Sequence, residues 1–249
     1  MLATQTIQTQ TVTVDSEGLP IPAYLAQPQA SGPWPIVVVL QEVFGVNAHI
    51  RAVTERIARA GYIAIAPHLY HRQSPYFEVG YSEADLALGR QYKMDTDAQE
   101  LLNDVQGAIS YGQTHCQGIA TGVGCIGFCF GGHVAYLAAT LSHVKATASF
   151  YGAGLSTSTP GGGVPTLSKT AEITGVLYGF FGKQDSLISP EEVILIEAEL
   201  NKYNVRHQIF KYEEAGHGFC CDQRSSYHPG ASAHAWQQVE SLFQRVLRS

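Results

Sequence analysis

Residues 34–67 read WPIVVVLQEVFGVNAHIRAVTERIARAGYIAIAP, and this stretch sets the fold class. Ile36–Leu40 is an unbroken run of branched apolar residues, which is typical of a strand buried on both faces. His49–Ala60 carries an apolar stripe at helical spacing and stops at Gly61. Tyr62–Ala66 is a second apolar run, closed by a proline. Strand, helix and strand within about thirty residues predict a βαβ unit, and therefore a parallel sheet with a right-handed crossover.

The same alternation continues along the rest of the chain. An edge hairpin at Gln8–Val14 and Ile21–Ala26 is predicted before the βαβ unit. The strands predicted after the βαβ unit are Val123–Phe128, Thr147–Tyr151, Gly175–Phe181 and Val205–Tyr212. The helices predicted after it are Ala98–Tyr111, Gly132–Thr140, Pro190–Asn201 and Ala233–Leu247. Ser156–Lys169 predicts a loop, and the segment around Tyr76, Phe77 and Tyr81 is a candidate lid. The pattern predicts a single α/β domain over residues 1–249, with a mostly parallel central sheet flanked by helices on both faces.

Composition excludes several classes of function. Charged residues make up 14% of the 249, against about 25% in an average soluble domain, which excludes a highly charged disordered chain. A net charge of −6 argues against a nucleic-acid partner. Neither a signal peptide nor a run of about 20 apolar residues is recognisable, so no membrane association is predicted. Five cysteines form no even framework, and we expect free thiols, a cytoplasmic location and a monomer.

Gly127-Phe128-Cys129-Phe130-Gly131 has the spacing of the nucleophile elbow G-x-S-x-G, with cysteine in place of serine. The nucleophile of such a motif lies on a sharp, strained turn between a strand and a helix. The residues two before and two after it must be small, because side chains there would collide with the turn. A strand is predicted before the motif and a helix after it. The alternative interpretation is a glycine-rich turn around a buried structural cysteine.

Two later residues fit the other places of a catalytic triad, in the chain order nucleophile, acid, histidine. Asp185 follows the predicted strand Gly175–Phe181, and His217 follows Val205–Tyr212. Catalytic groups of open α/β sheets gather at the carboxyl ends of the strands. His217 would then hold Cys129 as a thiolate or take its proton, while Asp185 orients the imidazole. Taken singly, Asp185 is also typical of a turn or helix cap and His217 of a loop, but three matches in the correct order favour catalysis.

The chain resembles the dienelactone hydrolase (carboxymethylenebutenolidase) family of α/β hydrolases over nearly its whole length. The motifs that carry the resemblance are QEVFG at 41–45, GFCFGG at 127–132, GKQD at 182–185 and GHGF at 216–219. The resemblance implies the α/β-hydrolase fold, a small-molecule lactone or ester as substrate, and no cofactor. It also implies a catalytic triad of Cys129 as nucleophile, His217 as base and Asp185 as the residue that orients it.

Three further roles follow from the resemblance. Glu42 matches the family glutamate that contacts the resting cysteine and takes part in thiolate formation when substrate binds. The backbone N–H groups of Phe130 and Val43 would form the oxyanion hole, aimed at charge that develops only in the tetrahedral intermediate. The alternative interpretation of Glu42 is a solvated loop carboxylate.

The sequence departs from the family pattern around the substrate. The resemblance implies two arginines that hold a substrate carboxylate, one of them four residues after the catalytic histidine. Cys221 stands at that position, and Gly218 replaces the serine that follows the histidine. Arg224 is nearby in sequence, and Arg90 or Lys93 is a candidate for the upstream arginine. We therefore expect Cys221, Arg224 and Gly218 at the substrate pocket.

The vicinal pair Cys220-Cys221 could be redox-active, bind a soft metal or line the pocket. Because four ligands with C-x-x-C spacing are missing, no metal site is predicted. The sequence as a whole predicts a cysteine-nucleophile hydrolase of enol-lactones or activated esters that works through an acyl-thioester. Two alternatives stay open, a broad-specificity esterase and a non-enzymatic redox sensor that uses Cys129, Cys220 and Cys221 as oxidisable thiols.

Overall fold

The apolar runs of the sequence form the middle of an eight-stranded sheet in a computed structural model that describes residues 4–248. The strands are β1 (Ile7–Ser16), β2 (Leu19–Pro28), β3 (Trp34–Leu40), β4 (Ile63–Pro67), β5 (Gly118–Phe128), β6 (Val144–Phe150), β7 (Val176–Gly182) and β8 (Arg206–Tyr212). The α-helices are α1 (Ala48–Arg59), α2 (Glu83–Met94), α3 (Ala98–His115), α4 (Phe130–Ala138), α5 (Pro190–Lys202) and α6 (Pro229–Leu247). None of these helices is both long and apolar enough to cross a lipid bilayer.

The strand order is β1-β2-β4-β3-β5-β6-β7-β8. β3 pairs in parallel with β4 on one side and with β5 on the other, which confirms the predicted βαβ unit. The strands from β5 to β8 are also parallel neighbours. β1 pairs antiparallel with β2 at the edge of the sheet, as the hairpin prediction requires. The predicted α/β fold with a mostly parallel sheet is therefore confirmed.

Both faces of the sheet are covered. Along β3, Val37 and Val39 belong to one buried apolar cluster, while Ile36 and Val38 belong to another. Successive side chains of a strand point to opposite faces, so an unbroken apolar run fills two cores at once. Helices α1 and α6 contribute to the first cluster, and α3 and α4 to the second. The predicted arrangement of helices on both faces is confirmed.

The largest differences between predicted and observed boundaries are four or five residues. Helix α3 runs four residues beyond the predicted Tyr111, β5 begins at Gly118 rather than Val123, and α6 begins at Pro229 rather than Ala233. The predicted loop Ser156–Lys169 ends in a 3-10 helix at Thr166–Glu172. Its apolar residue Leu167 joins the core, which the Ser, Thr, Gly and Pro content of the segment concealed.

Helix α2 was not predicted at all. Its only buried residue is Gly89, so it shows no apolar stripe, but a capping box of Ser82 and Asp85 marks its start. The candidate lid before it is tied to the body of the protein. Phe77 is buried, and the Tyr81 hydroxyl accepts a hydrogen bond from Asn47 Nδ2 at 3.1 Å.

A buried ion pair fastens the sheet edge to α3. Asp104 of α3 is fully buried and accepts from Nη1 and Nη2 of Arg72, at 2.9 and 3.0 Å. The Ser16 hydroxyl of β1 donates to the same carboxylate at 2.7 Å. Every carboxylate oxygen of Asp104 is therefore paired, as a buried charge requires.

Candidate active site

Cys129 lies on a strained turn between β5 and α4. Its backbone has φ 55° and ψ −116°, a conformation that L-residues rarely adopt, and its N–H donates to the Phe150 carbonyl at 3.0 Å. A Cβ atom on Gly127 would come within 1.9 Å of the Gly131 carbonyl oxygen. A Cβ atom on Gly131 would come within 2.3 Å of the Leu40 carbonyl oxygen. The glycines at both ends of the motif are therefore required by close backbone contacts.

The loops after β7 and β8 bring Asp185 and His217 together. They approach closely because Gly182 has no side chain, since a Cβ there would lie 2.1 Å from the Ala215 carbonyl oxygen. His217 Nδ1 is 2.8 Å from Asp185 Oδ2. The other carboxylate oxygen of Asp185 accepts from the N–H of Leu187 at 2.8 Å, so the acid is held in place from both sides.

The second ring nitrogen of His217 is available for chemistry. Nε2 is buried and has no hydrogen-bond partner of ordinary geometry among residues 4–248. Burial alone would lower the pKa of His217, but the negative charge of the Cys129 thiolate and the hydrogen bond to Asp185 raise it to about 10. Tyr151 packs the edge of its ring against the imidazole, with centroids 5.1 Å apart. The arrangement favours the imidazolium form of His217.

Two backbone donors stand free near the elbow. Phe130 is the first residue of α4, so its N–H has no partner inside the helix. The Val43 N–H, in the loop after β3, also has no backbone acceptor within the described part of the chain. Both residues line the same cavity as Cys129. Gln41 fixes this loop, because its Oε1 accepts from the Leu69 N–H at 3.1 Å.

Glu42 is 1% exposed and is paired with Arg224. Arg224 Nη1 lies 3.1 Å from Glu42 Oε1, and the guanidinium also faces the Phe44 ring at 5.5 Å. Glu42 Oε2 is buried with no partner among residues 4–248. Burial opposes the charge of Arg224, but Glu42 offsets this and the pKa of the guanidinium is raised. The described contacts of Glu42 are thus with Arg224 rather than with Cys129.

Gly218 makes the position of Arg224 possible. Its φ is +82°, and a Cβ there would lie 2.3 Å from Nη1 of Arg224. Two successive turns follow, with Cys221 N–H donating to the Gly218 carbonyl and Arg224 N–H to the Cys221 carbonyl. The chain therefore folds back, and the guanidinium lies directly over the backbone next to His217. The spacing of these residues in the sequence does not show that the chain folds back towards His217.

The cavity at Cys129 has a volume of about 270 Å³. Its basic residues are Arg90 and Lys93 of α2 together with Arg224, and the remaining wall is formed by Val43, Phe44, Leu86, Phe130, Ala153, Ser186, Leu187 and His217. Arg224 lies at the pocket, as expected from the sequence. Gly218 and the fully buried Cys221 lie behind the cavity wall instead.

Cys221 forms part of a buried polar group. Its thiol donates to the Tyr81 hydroxyl at 3.2 Å, and one donor atom each of Cys221, Glu42 and His49 lie within 4.8 Å of one another. Burial raises the pKa of Cys221 to about 11 and lowers the pKa of His49. His49 was not predicted from the sequence, because it lies in a helix between apolar residues and far in sequence from both cysteines. All five cysteines of the chain are unpaired.

Comparison with known proteins places this chain in a family. A sequence model of the dienelactone hydrolase family matches residues 21–247. A candidate carboxymethylenebutenolidase from Synechocystis is 50% identical over 242 residues, which cover 97% of this chain and 98% of that protein. A candidate 2-oxo-3-(5-oxofuran-2-ylidene)propanoate lactonase from Bradyrhizobium is 30% identical over 240 residues, which cover 96% of this chain and 94% of that protein.

Solved structures agree with these sequence matches. The crystal structure of a candidate dienelactone hydrolase from Klebsiella pneumoniae superposes with a TM-score of 0.87 at 32% sequence identity. The match covers 97% of this chain and all of the other. Both the fold and the enzyme class, a hydrolase acting on ester or lactone bonds, follow from these likenesses.

Proposed function

The chain belongs to the dienelactone hydrolase family and is a hydrolase of esters or lactones, and we propose that it acts through a cysteine nucleophile and an acyl-thioester intermediate. Cys129 is the nucleophile, His217 the base, Asp185 the residue that orients it and Glu42 a partner in thiolate formation. Enol-lactones and activated esters that carry a negative charge are the proposed substrates.

The observation that carries the proposal is the strained turn that holds Cys129 at the start of α4, in a cavity that it shares with His217. Cys129 has φ 55° at the start of α4, and the pKa of His217 is raised to about 10 against the effect of burial, by the Cys129 charge and by Asp185. A thiol is a weak nucleophile until it is ionised, and an imidazolium together with a helix N-terminus favours the thiolate. A buried structural cysteine needs neither feature.

Acylation begins when the Cys129 thiolate attacks the carbonyl carbon of the substrate. The carbonyl oxygen becomes an oxyanion and accepts hydrogen bonds from the N–H groups of Phe130 and Val43, which have no other backbone acceptor. The tetrahedral intermediate collapses, the C–O bond of the ester breaks, and an enolate leaves. His217 supplies a proton to leaving groups that need one.

Deacylation uses the same histidine as a base. Once the sulfur is acylated, its negative charge is gone, and the main cause that raises the pKa of His217 disappears. The imidazolium gives its proton to the enolate or to solvent, and the neutral ring then takes a proton from the water molecule that attacks the thioester. Asp185 holds the Nδ1 proton through the 2.8 Å contact and stabilises the imidazolium that forms. The acid is released and the thiolate returns.

The charge of the cavity supports an anionic substrate. Arg90, Lys93 and Arg224 line it, and the only carboxylate in contact with Arg224 among the described residues is Glu42. A substrate carboxylate would find Lys93 and Arg224 partly buried, where charge pairing is stronger than in bulk water, while Arg90 is exposed. The Bradyrhizobium relative is named for a lactone that bears a propanoate group, which agrees with this choice.

Kinetics of wild type, Cys129→Ala and His217→Ala test the proposal, with a dienelactone and p-nitrophenyl acetate as substrates. We expect turnover of the lactone by wild type and loss of it in both variants. If wild type cleaves only the aryl ester, the proposed triad is supported, but the enzyme is a broad-specificity esterase rather than a lactone hydrolase. No turnover of either substrate, together with fast alkylation of Cys129, would overturn the enzyme proposal in favour of a thiol sensor.

We also propose that the enzyme is a cytoplasmic monomer that needs no partner besides its small-molecule substrate. Five unpaired cysteines, three of them buried, support a reducing compartment. Light scattering coupled to size-exclusion chromatography tests the monomer, since a mass near 26.9 kDa is expected and twice that mass would contradict it.

A further inference from the structure

Three potential metal ligands meet behind the cavity, in a group formed by Glu42, His49 and Cys221. All three side chains are buried, and one donor atom from each lies within 4.8 Å of the others. They come from the loop after β3, the first turn of α1 and the segment that follows the catalytic histidine. The proposed reaction uses Glu42, but neither His49 nor Cys221 has a part in it.

Two atoms of this group have unused hydrogen-bonding capacity. Glu42 Oε2 and His49 Nε2 are buried and have no hydrogen-bond partner among residues 4–248. The side chains are 1% and 5% exposed, so bulk water does not solvate them. Buried polar atoms are paired in the great majority of cases. Glu42 Oε2 and His49 Nε2 lie unpaired beside the Cys221 thiol. They therefore point to a bound metal ion, which would accept a lone pair from each of them.

The donor types favour one class of ion. A carboxylate, an imidazole and a thiolate are the ligands that Zn²⁺ takes in tetrahedral sites, with three protein ligands leaving one position open. Calcium and magnesium take oxygen ligands instead, so a cysteine in the group argues against them. We propose that Glu42, His49 and Cys221 bind one Zn²⁺ ion, and that the bound ion inhibits the enzyme by holding Glu42.

Zinc binding requires that Cys221 lose its proton and that all three side chains form bonds to the ion. The S–H bond of Cys221 breaks, its proton goes to solvent, and an S–Zn bond forms in place of the hydrogen bond to Tyr81. Glu42 and His49 each donate a lone pair, a water molecule fills the fourth position, and no electrons are transferred. Donor separations in a tetrahedral zinc site are about 3.5 Å, so the side chains must move inward by about 1 Å.

Arg224 does not prevent this arrangement. Its Nη1 contacts Oε1 of Glu42 at 3.1 Å, which leaves Oε2 for the ion. The charges of the ion, the carboxylate and the thiolate add to zero, so the guanidinium faces a neutral complex. The Arg224 side chain is 20% exposed and lines the cavity.

Calorimetric titration with Zn²⁺ alone tests the site. Cys129→Ala is the reference protein, because it removes the partly exposed thiol in the cavity; Cys116, the other partly exposed thiol, lies outside the cavity and is present in every variant. We expect one ion per chain, and affinity at least ten-fold weaker when His49→Gln or Cys221→Ser is added. Cys220→Ser is the matched control, since this neighbouring buried thiol lies outside the group, and its affinity should not change. With Cd²⁺, the ultraviolet thiolate-to-metal band should disappear only with Cys221→Ser.

Absence of stoichiometric binding to Cys129→Ala would overturn the proposal, and so would equal affinities in the His49→Gln and Cys220→Ser proteins. His49→Gln is decisive if Cys221→Ser fails to fold, which thermal melting reports. The inhibition rests on the proposed function and is measured separately, as loss of wild-type ester hydrolysis that a chelator reverses. Binding without inhibition would confirm the site and overturn the role of Glu42 in catalysis.

Discussion

Arg224 Nη1 lies 3.1 Å from Glu42 Oε1, although the two residues are 182 positions apart in sequence. The contact joins the loop after the first parallel strand to the turns that follow His217. The resemblance implies an arginine four residues after His217, but Cys221 occupies that position. Arg224 supplies the cation instead, from three residues further along the chain. The substrate-binding charge and the proposed thiolate partner are thereby coupled through one ion pair.

Gly218→Ala should displace Arg224 without unfolding the protein. The new Cβ would lie 2.3 Å from Nη1, and a long flexible side chain can move away, although an alanine at φ +82° also costs about 1–3 kcal/mol of backbone strain. With the guanidinium displaced, we expect KM for a carboxylate-bearing ester to rise by about ten-fold, equivalent to ~1.4 kcal/mol, and KM for a neutral ester to stay nearly constant. Steady-state kinetics with both esters check this. An equal rise for both would show that Arg224 does not select charge.

The imidazole of His217 should titrate far above an ordinary histidine. Its pKa is raised from 6.5 to about 10, and a large part of the increase comes from Cys129. In Cys129→Ala the NMR titration midpoint should therefore fall towards 6.5. Equal midpoints in the two proteins would contradict the proposed ion pair.

The same shift has a consequence for stability. Because the pKa is higher in the folded protein, the protonated ring stabilises the fold fully below about 6.5, and this contribution is lost as the pH rises through about 10. The difference in melting temperature between wild type and His217→Gln should therefore shrink with increasing pH. Calorimetry at several pH values measures it, and a difference that grows with pH would contradict the assignment.

Gly127→Ala should destabilise the protein strongly. A Cβ at this position would meet the Gly131 carbonyl oxygen at 1.9 Å, and backbone atoms on both sides cannot give way. We expect the free energy of unfolding to fall by about 3 kcal/mol or more. Gly230→Ala is the control, because its nearest neighbour is 3.6 Å away and its helix gains at most about 1 kcal/mol. Urea denaturation measures the free energy of unfolding of both variants. Equal values would contradict the close backbone contact between Gly127 and Gly131.

Asp104→Asn should cost about 3 kcal/mol, because the partly buried Arg72 guanidinium then faces a neutral amide and keeps only the 3.3 Å contact with the more exposed Glu100. Glu240→Gln removes an ion pair of similar length, 3.1 Å to Arg56, that is exposed on both sides. Its cost should be at most about 1 kcal/mol. Unfolding free energies of the two variants test the contrast. Similar losses would mean that burial of Asp104 does not determine the cost.

The sequence predicted those parts of the molecule that local patterns determine. The apolar run Ile36–Leu40 marked a central strand because both faces of the sheet are covered. The elbow around Cys129 was recognisable because backbone contacts demand glycines at fixed spacing. Asp185 and His217 followed from their places after successive strands, where a parallel sheet brings loop residues together.

Other parts depend on contacts between distant segments. Helix α2 escaped prediction because Gly89 is its only buried residue, although its capping box was visible in the sequence. The position of Arg224 depends on a left-handed glycine and two turns, which residue types alone do not specify. The meeting of His49 with Cys221 requires the full fold, since no spacing rule connects them.

A covalent acyl group on Cys129 is the central claim, and rapid-quench mass spectrometry with p-nitrophenyl acetate measures it most directly. The intact mass should rise by one acetyl group during the first turnover, proteolytic fragments should place the group on Cys129, and Cys129→Ala should show neither adduct nor turnover. An acetyl group on another side chain, or sustained turnover by Cys129→Ala, would contradict the account.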